Sequence, residues 1–112
     1  MSKDTEHAGH RLARLEAVIA DELRSILRDE VTDPELHDIG IGEVSLSVDY
    51  RHARVHYALP PRAGGGGRAP AEVVRALARA TPFLRARLAE AVDLKRAPDL
   101  GFVFDGFAER SP

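Results

Sequence analysis

The sequence predicts an α+β domain, in which a three-stranded sheet carries its helices on one face in the order α-β-β-α-α-β. Three observations predict this class. Apolar residues recur with a helical period in some segments and alternate with period two in others. The chain has 112 residues, a length that suits one domain with a modest core. It contains no cysteine, which excludes a disulfide framework and thiolate-bound metals.

The first half of the chain reads as one helix followed by two strands. Residues 10–30 place one apolar stripe on a helix, which Asp33-Pro34 ends because proline disfavours helical geometry in the residue before it. The alternation of apolar residues changes parity near Gly42, within the first strand, which predicts a β-bulge there. A second alternating run over residues 53–59 predicts the second strand. The segment 49–52 between the two strands is short enough for a hairpin turn.

The second half reads as two helices and a strand. Residues 60–70, rich in proline and glycine, are expected to be a flexible connector. Helices over 71–80 and 83–92 are predicted to meet at a corner at Thr81-Pro82, since threonine is a good N-cap and proline suits the first helical position. A short strand over 101–104 completes the sheet. The expected organisation is a flexible N-terminus (1–9), one domain (10–105) and a short tail (106–112).

Charge is distributed unevenly behind a net charge of −2. Residues 1–50 carry −7, residues 51–96 carry +7 and residues 97–112 carry −2. This asymmetry indicates either a basic side that faces a polyanion or two halves that pair with each other. No apolar run approaches the roughly 18 residues of a membrane span, and the charged N-terminus lacks the apolar stretch of a signal peptide, so a cytoplasmic protein is expected.

The predicted corner is the strongest candidate site. A helix N-terminus has free N–H groups that favour anions, and Arg79, Arg85 and Arg87 stand within two turns of it. A phosphate backbone would fit there, although an ordinary capped corner has the same pattern. On the first helix, Arg24 and Arg28 form either a basic surface or a solvated face bridged by Asp21.

Acid–base and metal chemistry have little support. His52 and His56 would share one side of a strand near Asp49, but no third ligand has a suitable spacing. We therefore predict no metal, no cofactor and no enzyme. Two rival hypotheses stay open: a small enzyme built on these three residues, and a protein-interaction module that docks through the acidic N-terminal helix.

Five segments in a fixed order between residues 10 and 105 resemble the ribosome-binding factor A (RbfA) family. They are Ile19…Glu22-Leu23…Ile26-Leu27, Asp33-Pro34-Glu35-Leu36, Val44-x-Leu46-Ser47-x-Asp49 with Ala53-x-Val55, Ala80-Thr81-Pro82-Phe83-Leu84-Arg85, and Leu94-Lys95-Arg96-x-Pro98-x-Leu100-x-Phe102…Asp105. The resemblance implies a type II KH-like fold. It also implies an Ala-x-Gly kink between the last two helices, here Ala80-Thr81-Pro82, with proline in place of glycine.

The resemblance implies a monomer that binds the free small (30S) ribosomal subunit and 16S rRNA. Such a protein assists late maturation, including 16S rRNA 5′-end processing, and is associated with growth in the cold. No membrane or small-molecule substrate is expected. The residues expected to contact rRNA are Arg75, Arg79, Thr81, Arg85, Arg87, Lys95 and Arg96, with Arg14, Arg24 and Arg28 as a secondary basic face. Charge reversal of Arg79 and Arg85 together is expected to weaken binding without unfolding.

Overall fold

The computed structural model describes residues 3–61 and 67–108, with side chains from residue 9 onward. Part of the predicted connector (62–66) and the end of the predicted tail (109–112) lie outside the described residues. The elements in chain order are α1 (Lys3–Asp29), a 3-10 turn (Pro34–Leu36), β1 (Gly40–Leu46), β2 (His52–Leu59), α2 (Ala71–Ala91) and β3 (Asp99–Phe107).

The sheet has the strand order β1-β2-β3. β1 and β2 are antiparallel and joined by a short turn, whereas β2 and β3 are parallel and need the crossover that α2 supplies. The register shifts between Ile41 and Val44, so the bulge predicted near Gly42 is confirmed. β3 runs over nine residues and is longer than the predicted strand, because it continues to pair with β2 as far as Phe107.

One core lies between the helices and the inner face of the sheet, as predicted. Alternate residues of β2 are buried there, from Ala53 to Leu59. α1 contributes the middle and end of its apolar stripe, and α2 contributes five buried residues. The largest fully buried side chains include Ile19, Leu23, Ile26, Leu84 and Leu88. The α+β class and the three-stranded sheet with helices on one face are therefore confirmed.

The predicted corner at Thr81-Pro82 is wrong, because α2 is one continuous helix with Pro82 inside it. An interior proline costs about 3 kcal/mol, since it removes one hydrogen bond and clashes with a carbonyl of the preceding turn. Burial offsets this cost: Leu84 and Leu88 are fully buried, and each such side chain is worth about 1.5–3 kcal/mol. Thr81 does not cap a new helix, because its hydroxyl donates to the Leu77 carbonyl oxygen at 2.7 Å.

α1 begins at Lys3, seven residues before the predicted start. Its C-terminal end is extended by the N–H groups of Glu30 and Val31, which both donate to the Ile26 carbonyl at 2.9 and 3.1 Å. Asp33 then caps the 3-10 turn by accepting from the Glu35 N–H at 3.0 Å. The division into residues 1–9, 10–105 and 106–112 stays a prediction.

Candidate nucleic-acid interface

The continuity of α2 removes the anion site predicted at Thr81-Pro82. A helix interior has its N–H groups bonded within the helix, so no free N-terminal N–H groups are available at this point. On a regular helix Arg85 and Arg87 lie on nearly opposite sides, because two residues correspond to about 200° of rotation. The arginines of α2 therefore do not form one surface, and their contacts show where each one points.

Arg79 and Arg87 join α2 to the end of α1 and the segment after it. Arg79 donates to Asp33 Oδ2 at 3.1 Å. Arg87 donates through Nε and Nη2 to the two carboxylate oxygens of Glu30, at 2.6 and 3.3 Å, and it also bonds Glu90. Hydrogen bonding and charge from Glu30 raise the pKa of Arg87 above its ordinary value. These contacts connect the acidic and basic halves of the chain, which is the second of the two alternatives that the charge pattern left open.

Arg85 holds the segment that leads into β3. Its Nε donates to the Pro98 carbonyl at 3.1 Å and its Nη2 to the Ala97 carbonyl at 3.0 Å. The same Nη2 lies 3.3 Å from Asp99 Oδ1. Ala97 and Pro98 are buried, so the guanidinium satisfies two carbonyls that have little access to water. Arg85 thus fixes the position of the exposed residues immediately before this segment.

The loop before Ala97 bears Lys95 and Arg96, two of the residues expected to contact rRNA. Both are exposed, and within the described part of the chain neither makes a hydrogen bond or an ion pair. Arg75 is also exposed and unpartnered there, but it lies near the start of α2, about 24 Å along the helix axis from its end at Ala91. The structure therefore separates Arg75 from Lys95 and Arg96.

The secondary basic face on α1 is largely occupied by intramolecular contacts. Arg24 donates to the carbonyls of Ile41 and Gly42 at the β-bulge, at 3.0 and 3.2 Å, and pairs with Asp21 at 2.8 Å. Arg28 pairs with its neighbour Asp29 at 3.0 Å. Arg14 is exposed and, among the described residues, unpartnered.

A third basic residue, Arg51, lies at the same end of the sheet as the loop that bears Lys95 and Arg96, and it was not among the residues expected from the sequence. The Arg51 carbonyl accepts from the Asp99 N–H at 2.8 Å, which brings the β1–β2 turn against the start of β3. We call Tyr50, Arg51, Lys95 and Arg96 the hairpin-end surface. One feature of the sequence could have pointed to Arg51: the strongly basic segment begins at this residue.

The residues of the hypothetical small enzyme do not converge. His56 Nδ1 lies 2.8 Å from Asp105 Oδ1 on the outer face of the sheet, and His52 Nδ1 lies 3.7 Å from Asp99 Oδ2. The Asp49 carboxylate accepts from the Ser47 hydroxyl and the Arg51 N–H within its own turn. Across the described residues, no group of three His, Asp or Glu side chains is placed to hold a metal ion.

Several acidic side chains of α1 are already engaged in contacts within the molecule. Glu16 accepts from the Leu46 N–H at 2.7 Å, and Glu30, Asp21 and Asp29 pair with arginines. An exposed acidic docking face is correspondingly reduced. No helix in the described ranges is long and apolar enough to cross a membrane.

Comparisons with known proteins agree on one family. The family model described as ribosome-binding factor A matches residues 11–111. Ribosome-binding factor A of Heliobacterium modesticaldum is 39% identical over 103 residues, which cover 92% of this chain and 82% of that protein. The Coxiella burnetii protein of the same name is 37% identical over 101 residues, covering 90% of this chain and 81% of its own.

Solved structures show the same similarity. A solution NMR structure of a Thermotoga maritima protein assigned to ribosome binding factor A aligns with a TM-score of 0.69 and 29% identity, covering 91% of this chain and 93% of that one. A homology model of Thermus thermophilus ribosome binding factor A, fitted into the cryo-EM map of a 30S–RbfA complex, aligns with a TM-score of 0.64 and 31% identity. The alignment covers 81% of this chain and 91% of that one.

Proposed function

The chain belongs to the ribosome-binding factor A family, and from that premise we propose that it binds the free small ribosomal subunit and assists its late maturation. In this proposal the protein contacts 16S rRNA, supports processing of the rRNA 5′ end and catalyses no reaction. It acts in the cytoplasm as a monomer without a cofactor. The 30S complex of the similar Thermus thermophilus protein supports the choice of subunit.

The observation that carries the proposal is the pair of free cations at Lys95 and Arg96. Contacts with phosphates supply most of the non-specific affinity for nucleic acid, and they require cations that are not already paired. The loop that bears them is held by Arg85, so little conformational freedom is lost on binding. We therefore assign the primary phosphate contacts to these two residues.

The other expected contacts have different roles in this proposal. Arg79, Arg85 and Arg87 first stabilise the fold, through the contacts with Asp33, the segment 97–99 and Glu30. Direct contact of these three arginines with rRNA stays a prediction, and so does contact of Thr81 and Arg75. The same applies to the secondary set Arg14, Arg24 and Arg28.

A binding protein can assist maturation only through its differential affinity for two conformations of the subunit. A 100-fold preference for the immature form corresponds to about 2.7 kcal/mol, which is within reach of a few phosphate contacts. The protein then leaves when the mature conformation removes part of its binding surface.

Co-sedimentation tests the proposal, with purified small subunits and assembled ribosomes at low and raised salt. We expect association with free small subunits alone, and a loss of binding as the salt concentration rises. The variant Lys95→Glu/Arg96→Glu should bind more weakly and lower the salt slope by about two counterions. The matched control Arg11→Glu/Arg68→Glu changes the net charge equally, with two exposed residues that are not among the expected contacts. Equal losses in both variants would contradict the assignment, and no association of the unmodified chain with either particle would contradict the function.

A further inference from the structure

The turn between β1 and β2 exposes apolar side chains at its tip. Val48 is 87% exposed and Tyr50 is 43% exposed. The other aromatic residues of β2 and β3 pack together on the core side, where Tyr57 lies 5.5 Å from Phe104 and 6.4 Å from Phe102 between ring centroids. Tyr50 is therefore an aromatic side chain that the core does not use.

This turn is held rigidly by its own hydrogen bonds. Asp49 Oδ1 accepts from the Ser47 hydroxyl at 2.6 Å and from the Arg51 N–H at 3.1 Å. The Ser47 hydroxyl oxygen accepts from the His52 N–H at 3.0 Å, and the Tyr50 N–H donates to the Ser47 carbonyl at 2.9 Å. A ligand that binds Tyr50 therefore finds the backbone already ordered, and the entropy lost on binding is small.

Tyr50 adopts a backbone conformation that is unfavourable for its residue type. Its φ is 62°, in the left-handed region where glycine and asparagine are favoured. A bulky aromatic residue at such a position does not improve the turn. Since strained positions are retained where the surrounding structure or the function requires the side chain, the ring itself is the feature to explain.

Three basic residues lie at the same end of the sheet as Tyr50. Arg51, Lys95 and Arg96 make no side-chain hydrogen bond or ion pair within the described residues. Of the acids at this end, Asp49 accepts hydrogen bonds within the turn, and these bonds, with a smaller effect of the Arg51 charge, lower its pKa. Asp99 faces Arg85 and His52, and Asp93 is exposed. An exposed ring at the same end of the sheet as these cations complements a nucleotide, which presents a flat base and a negative phosphate.

We propose that the hairpin-end surface binds an unpaired rRNA nucleotide, with Tyr50 stacked on the base and Arg51, Lys95 and Arg96 near the flanking phosphates. This inference rests on the proposed function, because it names the part of the subunit's RNA that the chain recognises. Single-stranded and looped RNA fits the site, since the bases of a continuous helix have no free face for stacking. The contact is tolerant of base identity, because every base has a π face.

The test measures the affinity of small subunits for the unmodified chain and for Tyr50→Ala, Tyr50→Phe and Tyr50→Leu. All three substitutions keep a Cβ at the left-handed position, so none relieves the strain of the turn as glycine would. Loss of the ring should weaken binding about 10-fold, the order expected for one stacked base. Tyr50→Phe should bind like the unmodified chain, and Tyr50→Leu should bind like Tyr50→Ala. Phe83→Ala, which removes an equally exposed ring on α2, is the matched control and should leave binding unchanged.

The salt dependence separates stacking from charge. Tyr50→Ala should lower the affinity at every salt concentration with the same slope, whereas Lys95→Glu/Arg96→Glu lowers the slope. Unchanged affinity of Tyr50→Ala, with normal binding by the unmodified chain, would overturn this inference and leave the proposed function standing. Full binding by Tyr50→Leu would also overturn it, because an apolar contact with a protein would then be sufficient. If the unmodified chain does not bind subunits, the proposed function fails first.

Discussion

Replacement of Arg85 by lysine keeps the positive charge and removes the forked geometry of the guanidinium. In the native protein Nε and Nη2 donate to two different carbonyls, those of Pro98 and Ala97, at 3.1 and 3.0 Å. A lysine ammonium has no such fork and can satisfy one of the two carbonyls at a time. The substitution therefore leaves one buried carbonyl without its partner.

The magnitude follows from one lost hydrogen bond. A hydrogen bond to a charged group contributes about 1.5–3 kcal/mol. The Arg85 side chain is 37% exposed, so water replaces part of the lost contact. We expect Arg85→Lys to lower the free energy of unfolding by about 1–2 kcal/mol. For a domain of this size each kcal/mol corresponds to roughly 5 °C in Tm.

Urea unfolding followed by circular dichroism measures this loss, with Arg75→Lys as the control at an exposed, unpartnered arginine. Affinity for the small subunit should fall together with stability, because the segment that positions Lys95 and Arg96 loosens. Unchanged stability would refute the reasoning. Weaker subunit binding at full stability would show instead that Arg85 contacts rRNA directly, as the sequence alone indicated.

Three further outcomes are expected. A hydrogen bond from the Glu35 N–H is the main cause that lowers the pKa of Asp33. The ionised Asp33 carboxylate therefore stabilises the fold above about pH 4, and this stabilisation is lost as the pH falls through the lowered pKa. The variant Asp33→Asn should show a weaker dependence of the unfolding free energy on pH in this acid range. Pro82→Ala should raise the free energy of unfolding by about 1–3 kcal/mol, measured in urea, because it restores a helical N–H; a lower stability would show that the proline fits its surroundings. A double-mutant cycle with Glu30→Gln and Arg87→Met should give a measurable favourable coupling, and a value near zero would mean that solvent screens the pair.

Local periodicity predicted most of the architecture. The stripe of α1 and the alternation in β2 are direct consequences of the helical and extended repeats, so Ile19, Leu23 and Val55 are buried as their spacing indicates. The change of parity near Gly42 predicted the bulge in the same way. These features depend on residues a few positions apart, which is why the sequence carries them.

The corner in α2 shows where a local signal misled the prediction. Threonine followed by proline is a typical helix start, yet the buried positions Val73, Leu77, Leu84 and Leu88 stay in phase with one helix across Pro82. That continuity was present in the sequence and outweighs the proline. In the single helix Phe83 lies off that buried stripe and is 43% exposed.

The sequence by itself determined the α+β class, the order of the strands along the chain, the bulge and the family, because each rests on local repeats or ordered motifs. Only the tertiary structure decided which cations are free. Arg79, Arg85 and Arg87 meet Asp33, Pro98 and Glu30 across separations of 46, 13 and 57 residues. No local pattern encodes such pairs, because a long side chain finds its partner only after the helices and the sheet have packed. The same packing brings the Arg51 carbonyl to the Asp99 N–H at the start of β3, just after the loop that bears Lys95 and Arg96.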